Sequence, residues 1–205
     1  MAIVIDALSI VENKKRLPCE AFFVDTNIII DSKDLFGRSL DSAFVAQTNF
    51  EVNQTLHYLK SSHHTSYSTL SVAVEYYKHL QVGYYLTQTG EKYFKTAEFK
   101  KKREGDIAFF TGWDLHLKSF KKLFTKNYPI HSMHELPSSI LATFEGSRVD
   151  FGDHLLFTYV MKCEKNQRCI FTNDGDFYSY NEDFLLLTTN KNIIGKAKTN
   201  GNIVD

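Results

Sequence analysis

Short apolar runs that end abruptly in Asp, Thr or Asn alternate along this chain with longer stretches in which apolar residues recur at helical spacing. Ala21-Phe-Phe-Val24 is one such run, and Asp25-Thr26-Asn27 after it supplies side chains suited to opening a helix. The pattern predicts a buried strand, the first of the chain, ending at Asp25. Between Asp41 and Leu59 the residues Phe44, Val45, Val52, Leu56 and Leu59 recur with polar residues between them, which predicts a surface helix. Ser61 to Ser66 reads as a small polar linker. Thr69 then stands where it caps a helix whose apolar face carries Leu70, Val74, Tyr77 and Leu80, with Glu75 inside that helix.

Residues 91–127 are rich in lysine, with Phe94, Phe99, Phe109, Phe110, Trp113, Leu117, Phe120 and Phe124 among the charges, and read as helices around a break at Glu104-Gly105-Asp106. Pro129 and Pro137 bracket a loop or short strand that holds His131 and His134. Ser147 to Cys163 reads as a further helix, in which Asp150 and Asp153 share one face near the start. Arg168 to Thr172 is again a strand, Asn173 to Asp176 a turn, and Phe184 to Leu187 a last strand. Strands alternating with helices predict an α/β fold around a largely parallel sheet, whose strands deliver polar residues at their carboxyl ends, the edge where such folds bind ligands.

The length, 205 residues with 43% hydrophobic content, suits a single domain of residues 1–205. Lys plus Arg and Asp plus Glu both total 24, so a polyanionic partner has to be held by a local patch rather than a global field. Cys19, Cys163 and Cys169 show neither zinc-site nor disulfide-scaffold spacing and read as reduced thiols. Met1 to Ile10 is interrupted by Asp6 and lacks a basic lead, so it does not read as a signal peptide, and no run reaches the roughly 20 apolar residues of a membrane span. The expectation is a soluble cytoplasmic protein with no membrane partner.

Taken singly, each acid in these segments is explained as a helix cap or a solvated turn. Together, Asp25 and Asp174 follow apolar strands and are flanked by Thr and Asn, while Glu75 and Asp153 sit on helices whose apolar faces address the same sheet. Carboxylates meeting without cations repel and raise one another's pKa, a penalty that a bound divalent ion removes.

Four segments carry a resemblance to the PIN-domain family, which includes the VapC-type toxins. Phe22-Phe-Val-Asp25-Thr-Asn27 resembles the first motif, Thr69-Leu-Ser-Val-Ala-Val-Glu75 the second, Asp153-His-Leu-Leu-Phe-Thr-Tyr-Val160 the third and Phe171-Thr-Asn-Asp174-Gly-Asp176-Phe177 the fourth. The resemblance implies a PIN-like three-layer fold, a central mostly parallel sheet flanked by helices, with a longer helical insertion at about 81–147. It implies that Asp25, Glu75, Asp153 and Asp174 bind Mg2+ or Mn2+ and are catalytic, with Asp176 assisting as a ligand. Thr26, Asn27, Thr172 and the accessory acid Asp150 would orient carboxylates or water around them. Hard ions that keep several waters suit such an oxygen-only donor set better than zinc does.

The implied activity is endoribonuclease hydrolysis of RNA, as in the toxin of a toxin–antitoxin pair, with an antitoxin protein and a second copy of the chain as protein partners. A PIN-like module that binds RNA or protein without cutting is the alternative, and a structure-selective DNA nuclease is another. The lysines from Lys92 to Lys126 form the candidate phosphate-binding face, diluted by Glu91, Glu98 and Glu104, and a solvated helix face is the competing reading. His63, His64, His131 and His134 sit in no recognisable metal motif and read as loop histidines.

Overall fold

The computed structural model describes residues 2–32, 43–131 and 150–204. Six strands among them, β1 (Ile3–Asp6), β2 (Ala21–Val24), β3 (Thr65–Tyr67), β4 (Cys169–Phe171), β5 (Leu185–Thr188) and β6 (Ile203–Val204), form one sheet of order β3-β2-β4-β5-β1-β6. Every neighbouring pair is parallel. All residues of β2 and β4 are buried, as a parallel sheet covered on both faces requires. The helices α1 (Ala7–Glu12), α2 (Thr26–Ser32), α3 (Ala43–Ser61), α4 (Leu70–Thr89), α5 (Thr96–Gly105), α6 (Ile107–Lys122), α7 (Phe151–Lys162) and α8 (Lys191–Asn200) accompany it, with α5 and α6 packed on the end of α4. The result is a central parallel sheet between helices, a three-layer α/β fold.

A strand, a short polar side chain and a helix follow one another repeatedly, because the polar residue that ends a strand also satisfies the open N–H groups of the next helix. Asp6 caps α1, Thr69 caps α4 and Asn190 caps α8 through their side-chain oxygens. Since all strands run the same way, these residues gather along one edge of the sheet. From β2 the chain moves outward to β3 on one side, and from β4 to β5 on the other. The adjacent strands β2 and β4 therefore flank the point where the winding reverses, and a crevice opens outside their carboxyl ends. Asp25 and Asp174 follow these two strands.

Several expectations are corrected. Ala21–Val24 is the second strand, since Ile3–Asp6 precedes it and pairs with both β5 and β6. Its four residues are too few to show an alternation, and Asp6 reads in sequence as an interruption. The polar stretch at 61–66 is only partly a linker, because Thr65–Tyr67 is an edge strand bonded on one side to β2. Its polar composition reflects that half-exposed position. Phe184–Leu187 is not the last strand, as α8 and β6 follow β5. The break at 104–106 separates α5 from α6, with Asp106 ending one and capping the other. The loop with His134 and the stretch at 147–149 lie outside the described residues, while Ile130 bridges Ser68.

Two hydrophobic clusters are present among the described residues. The larger surrounds the sheet, and the smaller joins Leu80, Tyr84 and Tyr85 of α4 to Phe99, Phe109 and Trp113 of α5 and α6, with Phe120 packed against both. Helix α4 therefore belongs to the sheet layer at its start and to a helical subassembly at its end, where Gly90 closes it in the left-handed conformation (φ 68°). Tyr84 donates its hydroxyl to Phe109 O at 2.7 Å, and its ring packs against Trp113. Gly112 lies against that hydroxyl, so an added Cβ would run into a buried, hydrogen-bonded group. Gly112→Ala is expected to destabilise the subassembly by about 1–3 kcal/mol. Because Trp113 is the sole tryptophan, its fluorescence during urea unfolding reads this region directly. An unchanged midpoint would mean that Tyr84 can move aside at little cost.

Candidate active site

Asp25 is 3% exposed, yet both its carboxylate oxygens are engaged. Oδ1 accepts from the Thr26 backbone N–H at 2.6 Å. Oδ2 accepts from Asn27 Nδ2 at 2.7 Å and from Thr172 Oγ1 at 2.7 Å. Since Thr172 directly follows β4 while Asp25 and Asn27 follow β2, these bonds tie together the two strands that flank the crevice. A third connection, from the Asp25 N–H to Phe171 O at 3.1 Å, continues the sheet pairing to its edge.

Glu75 lies in the second turn of α4, and its Oε2 accepts the Thr26 hydroxyl at 2.8 Å. Thr26 thus links Asp25, through its backbone, to Glu75, through its side chain. Asp150 caps α7 by accepting from Gly152 N at 2.8 Å, and Asp153 occupies the first turn of that helix. A Cβ at Gly152 would stand 3.2 Å from Asp150 Oδ1 and 3.6 Å from Glu75 Oε2, which places the start of α7 directly against Glu75. Asp174 follows Thr172 in the loop after β4, its N–H donating to Thr172 Oγ1 at 2.9 Å and its Oδ1 accepting from Asp176 N at 2.9 Å.

The acids also act on one another electrostatically. Burial, then Glu75 and Asp174, push the Asp25 carboxyl up to about 7 against the opposing bonds from Thr172 and Thr26. Asp153 rises to about 8 through burial, then the charges of Asp25, Asp174, Glu75 and Asp150. Glu75 goes the other way, held below the usual range by the His79 imidazole one turn on and by the Thr26 hydroxyl, against the effect of burial. His79 Nε2 stands 3.9 Å from Glu75 Oε1, beyond hydrogen-bond distance.

The four acids read from sequence are thus within one another's field, with Asp150 beside them. Asp176 is exposed and holds its place through its backbone bond to Asp174. Thr26, Asn27 and Thr172 are all bonded to site carboxylates. Among the described residues, no group of three or more His, Cys, Asp or Glu side chains stands close enough to hold a metal ion as a cage. The donor chemistry nonetheless suits a hard divalent cation. Such an ion keeps most of its waters and is commonly held by one or two carboxylates.

Beside the acids, α4 and α7 leave a cleft of about 660 Å³ lined by Leu70, Val74, Glu75, Lys78, Asp150 and Phe151, among others. One positioning residue escaped the sequence reading. Asn173 Oδ1 accepts from Thr188 Oγ1 at 3.0 Å, Thr189 N at 3.0 Å and Thr189 Oγ1 at 3.1 Å, while its N–H donates to Asn27 Oδ1 at 3.2 Å. It fastens the loop carrying Asp174 to the end of β5. The signal was present, because Leu185-Leu-Leu-Thr-Thr-Asn190 repeats the apolar-strand-then-Thr-Asn pattern of Ile170 to Asn173.

Asp25 and Asp153 bind their protons more tightly in the folded chain than in the unfolded one. Their contribution to stability is complete below the unfolded value near 4 and is lost as the pH rises through about 7 and about 8. In the metal-free protein, the melting temperature is expected to fall as the pH rises from about 4 to about 8 and to level off above that, and Asp153→Asn to flatten the fall. Parallel melting curves for variant and parent across this range would contradict the assignment.

No protein-family model, curated protein or solved structure matches this chain, so comparison assigns it to no family.

Proposed function

We propose that this chain is a PIN-type, divalent-metal-dependent nuclease that hydrolyses RNA phosphodiester bonds, with Asp25, Glu75, Asp153 and Asp174 around the cation and Asp176 assisting. The observation that carries the reading is the gathering of Asp25 and Asp153, each raised by burial and then by neighbouring acids, where the winding of a parallel sheet reverses. Acids arranged this way destabilise the fold unless a cation compensates them, and strongly perturbed groups in a crevice mark functional sites.

The chain's own residues divide the work. Thr26 N, Asn27 and Thr172 fix the orientation of the Asp25 carboxylate, which is then committed before a substrate arrives. The Thr26 hydroxyl aims Glu75. The protons that Asp25 and Asp153 retain near neutral pH would leave on cation binding, so uptake of Mg2+ or Mn2+ releases protons. When bound, the ion supplies a water activated for attack on phosphorus and steadies the charge that develops on phosphate oxygens. Lys78 lines the adjoining cleft and is placed to meet a phosphate.

The open spacing of the acids favours a second reading, a PIN-like module that binds RNA or protein without cutting. Titration calorimetry with manganese in buffers of different ionisation enthalpy separates the two: the nuclease reading expects binding with proton release, and the second expects neither. Asp25→Asn and Asp174→Asn are each expected to lower cleavage of single-stranded RNA at least about a hundredfold, with the melting temperature retained in Asp174→Asn, whose amide oxygen still accepts from Asp176 N. Undiminished cleavage by either variant would defeat the nuclease reading, and faster cleavage of flapped DNA than of RNA would shift the substrate class.

A further inference from the structure

The helical subassembly holds an asymmetry that the neutral chain conceals. Residues 91–127 carry ten Lys and Arg against five Asp and Glu, so the remainder carries fourteen against nineteen. A net positive module therefore adjoins a net negative body that contains the carboxylate site.

The cations of this module are mostly uncommitted. Lys95 pairs with Glu91 and Glu98, Lys118 with Asp114, and Arg103 contacts Glu104. Lys92, Lys100, Lys101 and Lys102 around α5, and Lys121 and Lys122 at the end of α6, have no ion pair among the described residues. Large apolar side chains are also exposed on the same module: Tyr93 is 77%, Ile107 85% and Phe110 49% exposed. A merely solvated helix face accounts for the lysines but not for these side chains. Free cations interleaved with exposed aromatic rings are what a single nucleic-acid strand requires, phosphates meeting Lys and unpaired bases stacking on rings.

The position suits the same partner. Helix α4 presents Glu75 to the site and packs Tyr84 and Tyr85 against α5 and α6, roughly 15 Å further along its axis at about 1.5 Å per residue. The Tyr85 hydroxyl donates to Glu98 Oε2 at 2.8 Å and pins α5 to that end. Lys78 of the cleft lies between the two ends on the same helix.

We infer that the α5–α6 module is a binding arm for single-stranded RNA, gripping phosphates through Lys92, Lys100, Lys101 and Lys102 and bases through Tyr93 and Phe110. The substrate class rests on the nuclease reading above, while the arm binds whether or not the strand is cut. The test is fluorescence anisotropy with a labelled, unstructured RNA oligonucleotide, using the full chain carrying Asp174→Asn and varying the salt. Replacing Lys100, Lys101 and Lys102 together by Glu is expected to weaken binding at least about thirtyfold near 0.1 M salt. It should also lower the slope of log affinity against log salt by about 2, since each phosphate contact on a single strand contributes about 0.7. Tyr93→Ala and Phe110→Ala are each expected to weaken binding about tenfold with that slope unchanged.

These side chains are exposed apart from the half-buried Lys102, and none belongs to the cluster around Trp113, so Trp113 fluorescence and melting temperature should match the parent. Unaltered binding by the lysine variant overturns the arm. Equal affinity for a duplex of the same length, or stronger binding to an acidic protein than to RNA, overturns its single-strand specificity. Arm-dependent binding by the parent chain without cleavage in manganese would sustain the arm while removing the nuclease reading.

Discussion

The buried carboxylate of Asp25 sets the terms for the residues around it. A carboxylate with 3% exposure loses most of its hydration, and that loss is compensated only by donors held in place by the fold. Its three donors come from Thr26 and Asn27 after β2 and from Thr172 after β4. Satisfying one charge therefore fixes the register of two strands and the start of a helix. The same demand propagates outward, since Asn27 is braced by Asn173, and Asn173 by Thr188 and Thr189 beyond β5.

Helix α4 carries this constraint in the other direction. Its N-terminal turns deliver Glu75 to the Thr26 hydroxyl, and its C-terminal turns are clamped by Tyr84 and Tyr85 in the smaller aromatic cluster. Phe120 of α6 stacks against Tyr76 and packs edge-on against Tyr77, the two residues that follow Glu75. The helical subassembly is thus a buttress for the glutamate as well as a charged surface. A loosened α6 is therefore felt at the carboxylates through α4.

Much of this was legible in the sequence. Strands β2 and β4 announce themselves as apolar runs closed by Asp25-Thr-Asn27 and Thr172-Asn-Asp174, because a doubly covered strand shows no polar residue until it leaves the sheet. Thr69 as a cap and the break at Asp106 follow from side-chain chemistry within a few residues, which a single chain displays. β1, β3 and β6 were missed for a common reason. Each is only two to four residues long and owes its extended form to a neighbour distant in sequence, β5 and β1 for two of them and β2 for the third. The site divides likewise: the residue types at Asp25 and Asp174 were readable from their flanks, whereas the bond from Thr26 to Glu75 spans tertiary structure and has no local signature.

The neighbouring residues also suggest why charge is present at all. Asn173 stands in the same loop as Asp174 and meets its donors from Thr188 and Thr189 with a neutral carbonyl. A neutral side chain therefore suffices to fasten this loop, and fastening alone does not explain Asp25 or Asp153. Each of those two is raised chiefly by burial and further by the other acids, a disposition that weakens the fold as the pH rises. Retaining several acids within one field makes physical sense where an external positive charge enters that field. On the proposed reading that charge is a hydrated divalent cation, which an oxygen-only donor set with Asp25 oriented in advance would suit. On the same proposed reading, the lysines of the helical arm that have no ion pair among the described residues meet the phosphates of a strand.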